Sequence, residues 1–381
     1  MTKSKTYFGL LICISWSGAV LGAVPVTSAT VQPLTHVRRT IGRWLKKYQI
    51  PGAAVALYVH EQPYLLHFGY ANRRQKTPVT PATVFELGSV SKLFTCLLVA
   101  QEVLRGRMDL DAAISDYLPA LRANNYLKQV TLERLGTHTA SLPFNAPATV
   151  KTHQDLVRHI ARWQPKTIYP LHWQYSNHGI ELLRLALEAV TGETWHDLVV
   201  QQILRPLQMA PIGVHVPKEY LPHYATCYDK AGRPTIRWNH RYMIGTAALR
   251  ATSADMLKFL QAALSLPGTP AHLKQAMALT QTPYVQLPQM RHGLGWEINA
   301  ITGQSAALNP GGTVQRLSPE QRQHPGVVLF AKTGTTHGFH TYIGVIPQRQ
   351  AGIVIMLNRT LPKGYTLLKR LGKRLLLEIS K

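Results

Sequence analysis

The sequence predicts an α/β protein, of the α+β type, in which a mostly helical region interrupts an α/β domain built from both ends of the chain. Strand patterns occur near both ends of the 381 residues, and helix patterns fill the stretch between them. Apolar residues make up 45% and charged residues 16% of the chain, which indicates a folded protein with a substantial core. We predict an α/β domain over residues 30–88 and 240–381 and a mostly helical domain over residues 89–239.

The first 29 residues have the features of an export signal. Lys3 and Lys5 precede the apolar run Tyr7–Trp16, and small residues follow it. The run is too short to span a bilayer. We therefore predict a signal peptide over residues 1–29, cleaved after Ala23 or Ala29, and a mature protein without a stable membrane anchor. The alternative is a buried N-terminal helix.

The predicted elements begin with a helix and a hairpin. Apolar residues recur at helical spacing from Leu34 to Tyr48, and Pro51-Gly52 ends that pattern. Ala53–Val59 and Tyr64–Tyr70 follow as two predicted strands around a turn. In the middle region we predict a series of helices: Phe94–Leu104, Ala112–Leu118, Thr131–Leu135, His153–Trp163, Gly179–Thr191 and Trp195–Leu204.

The last third of the chain returns to a mixed pattern. We predict a helix over Ser253–Leu264, capped by Thr252 or Ser253, and a closing helix over Tyr365–Ile379. Gly303–Gln323 is polar and contains glycine, which predicts a surface loop. Four segments between these helices are predicted strands: Gly293–Ile298, Val327–Ala331, Gly338–Ile346 and Gly352–Leu357.

The charge is strongly positive, with a formal net charge of +24. The basic residues are scattered, and no zinc-finger spacing, aromatic RNA-binding motif or basic heptad accompanies them, so we expect no nucleic-acid partner. A cationic surface suits anionic substrates or an anionic envelope. Cys96 and Cys227, which both follow the predicted signal, have no framework spacing, and we predict free thiols.

Ser89 and Lys92 form the candidate catalytic pair. Positions three apart lie on one face of a helix, so the Lys92 ammonium is predicted to reach the Ser89 hydroxyl. A serine needs a basic partner within hydrogen-bond reach to act as a nucleophile. One such match is expected by chance in a chain of this length, and Ser89 could equally be a helix cap.

Two further motifs give the serine pair its context. Tyr175-Ser176-Asn177 lies in a turn before a predicted helix, and Lys332-Thr333-Gly334 lies at the edge of a predicted strand. Each motif alone is weak. Together, in the order S-x-x-K, Y-S-N and K-T-G, they match the signature of serine enzymes that recognise penicillin.

The sequence therefore resembles the class C β-lactamases, the serine cephalosporinases. Phe85–Lys92 matches their nucleophile motif nearly letter for letter, and Pro78–Pro81, Gly293–Glu297 and Gly352–Leu357 also fit the family. The similarity runs from about Leu34 to the C-terminus. It implies a fold shared with DD-peptidases, in which helices flank an antiparallel sheet, and it implies a periplasmic, monomeric enzyme that hydrolyses β-lactam antibiotics and so confers resistance.

The resemblance also implies roles for individual residues. Ser89 would form the acyl-enzyme, Lys92 would help to remove its proton, and Tyr175 would act as general acid and base. Lys332 would favour the Tyr175 phenolate, and the backbone N–H groups of Ser89 and Thr335 would form the oxyanion hole. The predicted substrate-binding residues are Asn177, Asn145, Thr333, Gly334 and Lys363.

The chain departs from the family pattern at three of its binding positions. Asn145 replaces a glutamine and is one methylene shorter, so we expect its contact with a substrate amide to be lost or bridged by water. Lys363 replaces an asparagine that binds the substrate carboxylate, and Ala247 aligns with a tyrosine that walls the acyl pocket. These departures leave the substrate preference open.

Several histidines are interpreted as structural. His138 is expected to form structural hydrogen bonds, and His337 and His340 are expected to be ordinary strand residues. No H-E-x-x-H motif or Cys/His cluster is present, so we infer no metal and no cofactor. Two other functions remain open: a hydrolase of D-Ala-D-Ala peptides or small esters, and a penicillin-binding protein that is acylated without turnover.

Overall fold

A computed structural model describes residues 28–165, 171–238, 242–301, 314–324 and 326–381. The predicted signal peptide falls almost entirely outside these residues and stays a prediction, as does the division into domains. None of the described helices is long and apolar enough to cross a membrane. Cys96 and Cys227 are buried and unpaired with each other, which confirms the prediction of free thiols.

Eleven helices and twelve strands occur in the described residues. The helices are α1 (Ser28–Lys47), α2 (Ser91–Leu104), α3 (Ile114–Tyr117), α4 (Leu132–Gly136), α5 (His153–Ala161), α6 (Asn177–Thr191), α7 (Trp195–Val199), α8 (Ile244–Ala247), α9 (Ser253–Ala263), α10 (Ala271–Gln281) and α11 (Gly364–Ile379). The strands are β1 (Gly52–Val59), β2 (Gln62–Asn72), β3 (Thr77–Pro78), β4 (Phe85–Glu86), β5 (Arg250–Ala251), β6 (Val285–Gln286), β7 (Arg291–His292), β8 (Glu297–Ala300), β9 (Gln315–Arg316), β10 (Val328–Thr335), β11 (His340–Ile346) and β12 (Ala351–Leu357).

Ten of these strands form one antiparallel sheet, in the order β3-β2-β1-β12-β11-β10-β8-β7-β6-β9. Strands β4 and β5 pair separately. The centre of the sheet joins β1, from the start of the chain, to β12, from its end. The predicted fold class, an antiparallel sheet flanked by helices, is therefore confirmed.

The sheet separates two cores. On one face, Val37 and Ile41 of α1 and Leu368 and Leu375 of α11 pack against the apolar side chains of β1, β11 and β12. On the other face, helices α2, α6, α9 and α10 contribute to the larger core. Strands β1 and β12 are buried along their whole length because they have helices on both faces, which explains their continuous apolar pattern.

One predicted strand begins later than expected, and one helix was not predicted. The strand predicted over Gly293–Ile298 begins only at Glu297, because Gly293–Trp296 form a tight turn closed by a 2.9 Å bond from the Gly293 N–H to the Trp296 carbonyl. Helix α10 has no counterpart among the predicted elements. Its buried side includes Ala276, Thr280 and Gln281, so the sequence lacks a clear apolar period there.

The surface loop predicted over Gly303–Gln323 is described only from residue 314 onwards. This part includes the two exposed residues of β9 at the edge of the sheet, and a single turn of 3-10 helix over Pro319–Gln321. The earlier part of the predicted loop lies outside the described residues.

Candidate active site

Ser89 lies in a turn of 3-10 helix, Gly88–Val90, directly before α2. The turn approaches the end of β10 very closely. A Cβ atom on Gly334 would lie 1.9 Å from the Leu87 carbonyl oxygen, and one on Gly88, whose φ is +53°, would lie 2.6 Å from the Thr335 nitrogen. Glycine at both positions is therefore required for the backbone of Ser89 to meet the backbone of Thr335.

Lys92 points from the first turn of α2 back towards Ser89. Its Nζ donates to the Ser89 Oγ at 2.9 Å and to the Thr246 carbonyl of α8 at 3.1 Å. The side chain is fully buried, whereas Ser89 is partly exposed to the cavity. The predicted contact between Ser89 and Lys92 is therefore present, and α8 fixes the position of the lysine.

Tyr175 reaches the same point from the turn before α6. Ser176 caps that helix: its Oγ accepts from the Gly179 N–H at 3.2 Å and donates to the Pro143 carbonyl at 2.8 Å. This cap fixes the backbone at the N-terminus of α6, and Tyr175 directly precedes the capping residue. The centre of the Tyr175 ring lies 5.2 Å from Lys92 Nζ and 4.8 Å from Lys332 Nζ.

Lys332 lies on β10, just beyond the part of that strand that pairs with β8. The pairing with β8 ends at Ala331, so Lys332–Thr335 form a free edge on that side, facing the cavity. Lys332 Nζ donates to the Tyr175 hydroxyl at 3.1 Å. The three motifs thus converge: Ser89–Lys92, Tyr175 and Lys332 form one continuous set of polar contacts.

The two lysines change the acidity of Tyr175. Burial by itself raises the pKa of this phenol, but the positive charges of Lys332 and Lys92 outweigh burial and lower the pKa to about 8. Burial also lowers the pKa of Lys92 to about 8, and Tyr175 opposes that effect while Lys332 adds to it. A base and an ammonium group that both titrate near neutrality therefore lie beside the Ser89 hydroxyl.

Asn177, Asn145, Thr333 and Thr335 line the same cavity, which has a volume of about 1330 Å³. The Asn177 side-chain amide donates to Asn145 Oδ1 at 2.7 Å, so the shorter Asn145 is paired inside the site. The Thr335 hydroxyl lies 2.8 Å from His340 Nδ1. His340 is buried, and burial lowers its pKa to about 4, so this histidine is a neutral hydrogen-bonding partner.

Lys363 and Ala247 are the two departures from the family pattern at the wall of the cavity, and both line it. Lys363 immediately precedes α11, is exposed, and has a φ of +50°. Ala247 is buried in α8. Its methyl group is small, so it leaves space in the cavity. Tyr242, Met243 and Trp238 line the cavity as well.

The site also contains contacts that sequence reasoning missed. The ring of His138 lies 4.3 Å from the ring of Tyr175, and its Nδ1 accepts from the Ser176 N–H at 3.4 Å. Behind it, His292 lies 5.4 Å away. These contacts fit the structural role predicted for His138. No pattern in the sequence, however, indicates that His138 packs directly against Tyr175. Glu297 borders the cavity and pairs with Lys369.

The comparisons with known proteins agree on one family. The family model described as "Beta-lactamase" matches residues 37–377. A β-lactamase of Yersinia enterocolitica is 33% identical over 377 residues, which cover 94% of this chain and 95% of that protein.

Solved structures show the same relationship. A class C β-lactamase superposes with a TM-score of 0.83 at 27% identity, covering 91% of this chain and 96% of that one. A D-alanine carboxypeptidase of Burkholderia cenocepacia superposes with a TM-score of 0.80, also at 27% identity, covering 91% of this chain and 99% of the other. The fold is therefore similar to those of enzymes with either name.

Proposed function

The chain belongs to the β-lactamase family, and on that premise we propose that it is a serine β-lactamase that opens the rings of cephalosporins and penicillins through an acyl-enzyme on Ser89. One observation carries this assignment to Ser89: its hydroxyl lies 2.9 Å from a buried lysine, in a cavity that also holds Tyr175 and Lys332.

Acylation begins with the loss of the Ser89 proton. The Lys92–Tyr175 pair accepts it, in the state in which one of the two has already lost a proton. The Oγ then attacks the lactam carbonyl, and the C–N bond breaks as the collapsing intermediate expels the ring nitrogen. Tyr175 returns the proton to that nitrogen. The backbone N–H groups of Ser89 and Thr335 stabilise the oxyanion, and each such donor contributes about 3 kcal/mol to lowering the barrier.

Deacylation uses the same groups in the reverse direction. Tyr175, again without its proton, takes one from a water molecule, and the hydroxide attacks the ester carbonyl. The bond to Ser89 Oγ then breaks, and the serine regains its proton. Both half-reactions require Tyr175 to titrate near the working pH, which is where Lys332 and Lys92 place its pKa.

The substrate is held on both sides of the reacting carbonyl. Lys332, Thr333 and Lys363 would face its carboxylate, since an ammonium group or hydroxyl at each position can donate to an anion. Gly334 would contribute indirectly, because it lets the backbones of Ser89 and Thr335 approach each other. Asn177 and Asn145 would bind the amide of the acyl side chain, and the small Ala247 would leave room for a bulky one.

The test is steady-state hydrolysis of a chromogenic cephalosporin by the wild-type protein and by Ser89→Ala. We expect turnover by the wild type and none above background by the variant. The D-alanyl carboxypeptidase function is the second candidate, because the carboxypeptidase structure superposes almost as well. Release of D-alanine from a D-Ala-D-Ala peptide, with only one equivalent of cephalosporin consumed, would favour it instead.

We also propose that the mature protein is a periplasmic monomer. Lys3, Lys5 and the apolar run that follows them support export. N-terminal sequencing of the protein from a periplasmic fraction should find Val24 or Thr30 at the start, and sedimentation should give the mass of one chain. A cytoplasmic protein that retains Met1 would contradict the proposal.

A further inference from the structure

Helices α1 and α11 lie side by side on the sheet face opposite the larger core. At one end, His36 of α1 contacts Glu378 of α11 at 2.9 Å. At the other end, Arg359, shortly before α11, donates to the Tyr48 and Gln49 carbonyls that follow α1, at 3.2 and 2.9 Å. The two helices therefore run in opposite directions and form one continuous outer layer.

The outward side of this layer is rich in cations. Most of its apolar residues pack against the sheet, and Tyr365, at the start of α11, is exposed. We call the outward cations the basic helix pair; they are Arg38, Arg39, Arg43, Lys46, Lys47, Arg370, Lys373 and Arg374. Helix α1 contains no acidic residue and α11 contains one, Glu378.

Two groups of arginines elsewhere in the fold are paired with buried carboxylates. Arg105 and Arg107 share Glu102, while Arg316 and Arg322 share Glu133. In the basic helix pair only Arg374 has a carboxylate partner among the described residues, at 3.8 Å. The basic helix pair is therefore a surface whose charge the folded chain leaves open.

Helix stability does not account for these charges. Lys46 and Lys47 lie in the last turn of α1, where cations favour the helix dipole. Arg39 and Arg43, by contrast, are four residues apart on one face, and like charges at that spacing destabilise a helix. Arg370 and Arg374 repeat the pattern on α11. The arrangement costs stability, so a partner that gains from it is the natural explanation.

We propose that the basic helix pair binds the surface of an anionic phospholipid bilayer. Its cations lie over two adjacent helices, about 10 Å apart at the usual packing distance, and so present a broad layer of charge that matches a layer of headgroups. Among the described residues of the two helices, Tyr365 is the one large apolar or aromatic side chain that is exposed, and it borders the catalytic cavity, so the protein would adsorb by charge without inserting. This is a reversible contact, not an anchor.

A nucleic acid fits this surface less well. Binding of a duplex usually places a helix or ribbon in a groove, and binding of a single strand uses exposed aromatic side chains for stacking. Both helices lie flat on the sheet, and the one exposed aromatic side chain among their described residues, Tyr365, borders the catalytic cavity. None of its residues lines the catalytic cavity, so binding here leaves the site open to substrate.

The test is co-sedimentation of the purified protein with vesicles of phosphatidylcholine alone or mixed with phosphatidylglycerol. The variant carries Arg38→Gln, Arg39→Gln and Arg43→Gln. The control carries Lys151→Gln, Arg162→Gln and Arg205→Gln, which remove the same charge from exposed positions on the helical side. Thermal unfolding verifies that all three proteins are folded.

We expect the wild type to bind only the mixed vesicles and to be released at 1 M salt, where the Debye length is about 3 Å. Each basic residue near an anionic surface contributes about fivefold to partitioning, so the helix variant should lose about a hundredfold. The control variant should lose less than tenfold in partitioning, because its substitutions lie outside the basic helix pair. If both variants lost vesicle binding equally, net charge alone would explain the binding, and the proposal would be overturned.

Two other results would also overturn the assignment. One is equal binding to phosphatidylcholine alone, which would show that charge is not involved. The other is an equally large loss of binding to duplex DNA in the helix variant, which would make the surface a general polyanion site. Because the readout is sedimentation, it does not depend on whether the protein hydrolyses β-lactams.

Discussion

Lys332→Gln tests how the site sets the acidity of its base. In the wild type the Lys332 ammonium lies 3.1 Å from the Tyr175 hydroxyl and is the largest influence that lowers the pKa of this phenol to about 8. An opposite charge this close changes a pKa by about 1 to 3 units, so its loss should raise the pKa of Tyr175 to about 9 to 11. The pKa of Lys92 should rise as well, because a neighbouring cation disappears.

The expected result is a displaced pH profile. The active form is the deprotonated one, so activity rises with pH through the pKa, and a higher pKa moves this rise to higher pH. At pH 7 the deprotonated fraction would fall at least about tenfold, and the deficit in kcat would shrink as the pH is raised. Measuring kcat at saturating substrate separates this effect from weaker binding of the substrate carboxylate, which changes KM.

Lys332→Arg is the matched control. It keeps the positive charge beside Tyr175, so its profile should rise near pH 8 even if its overall rate is lower. The reasoning is refuted if the Gln variant rises at the same pH as the wild type, because the lysine charge would then have no influence on the catalytic base.

Three further changes probe other parts of the site. Tyr175→Phe removes the proton carrier but keeps the ring, and kcat should fall by about two to four orders of magnitude; a value within threefold of wild type would show that another group moves the proton. Lys363→Ala should make kcat/KM for a cephalosporin less sensitive to salt, because an exposed charge is screened; an unchanged salt dependence would exclude Lys363 from binding. Gly334→Ala should force the Leu87 carbonyl away from β10 and destabilise the fold by about 1 to 3 kcal/mol, whereas Gly42→Ala, with no atom within 4 Å, should not; equal thermal stability of the two variants would contradict the close approach.

The sequence could predict the parts of the site that depend on local spacing or on family motifs. The Ser89–Lys92 contact follows from a three-residue separation on one helix face, and the structure contains it at 2.9 Å. Tyr175 and Lys332 are far from Ser89 in the chain, and only the order of the three motifs and their resemblance to a family linked them.

Contacts made by ordinary residues could not be predicted in this way. The Thr246 carbonyl that holds Lys92 comes from 154 residues away and depends on no particular side chain. His138 packs against Tyr175 because the fold brings the His138 segment next to the Ser176 N-cap. Neither segment carries a sequence pattern that indicates this contact. Helix α10 was not predicted, because its buried side includes small and polar residues and therefore lacks a clear apolar period.

The unpaired cations of α1 and α11 show a different limit of prediction from sequence. The basic residues were visible in the sequence, but they looked scattered. Only the fold shows that two segments more than 300 residues apart lie side by side, with their cations on one surface.

The most direct test of the central claim is intact-mass spectrometry of the protein during reaction with a penicillin, followed by peptide mapping of the adduct. We expect one equivalent of penicillin to add to the wild type on the peptide that contains Ser89, the adduct to disappear as substrate is exhausted, and Ser89→Ala to show no adduct. An adduct on any other residue, or one that forms on Ser89→Ala, would contradict the assignment of the nucleophile. An adduct on Ser89 that persists after the free penicillin is gone would contradict turnover.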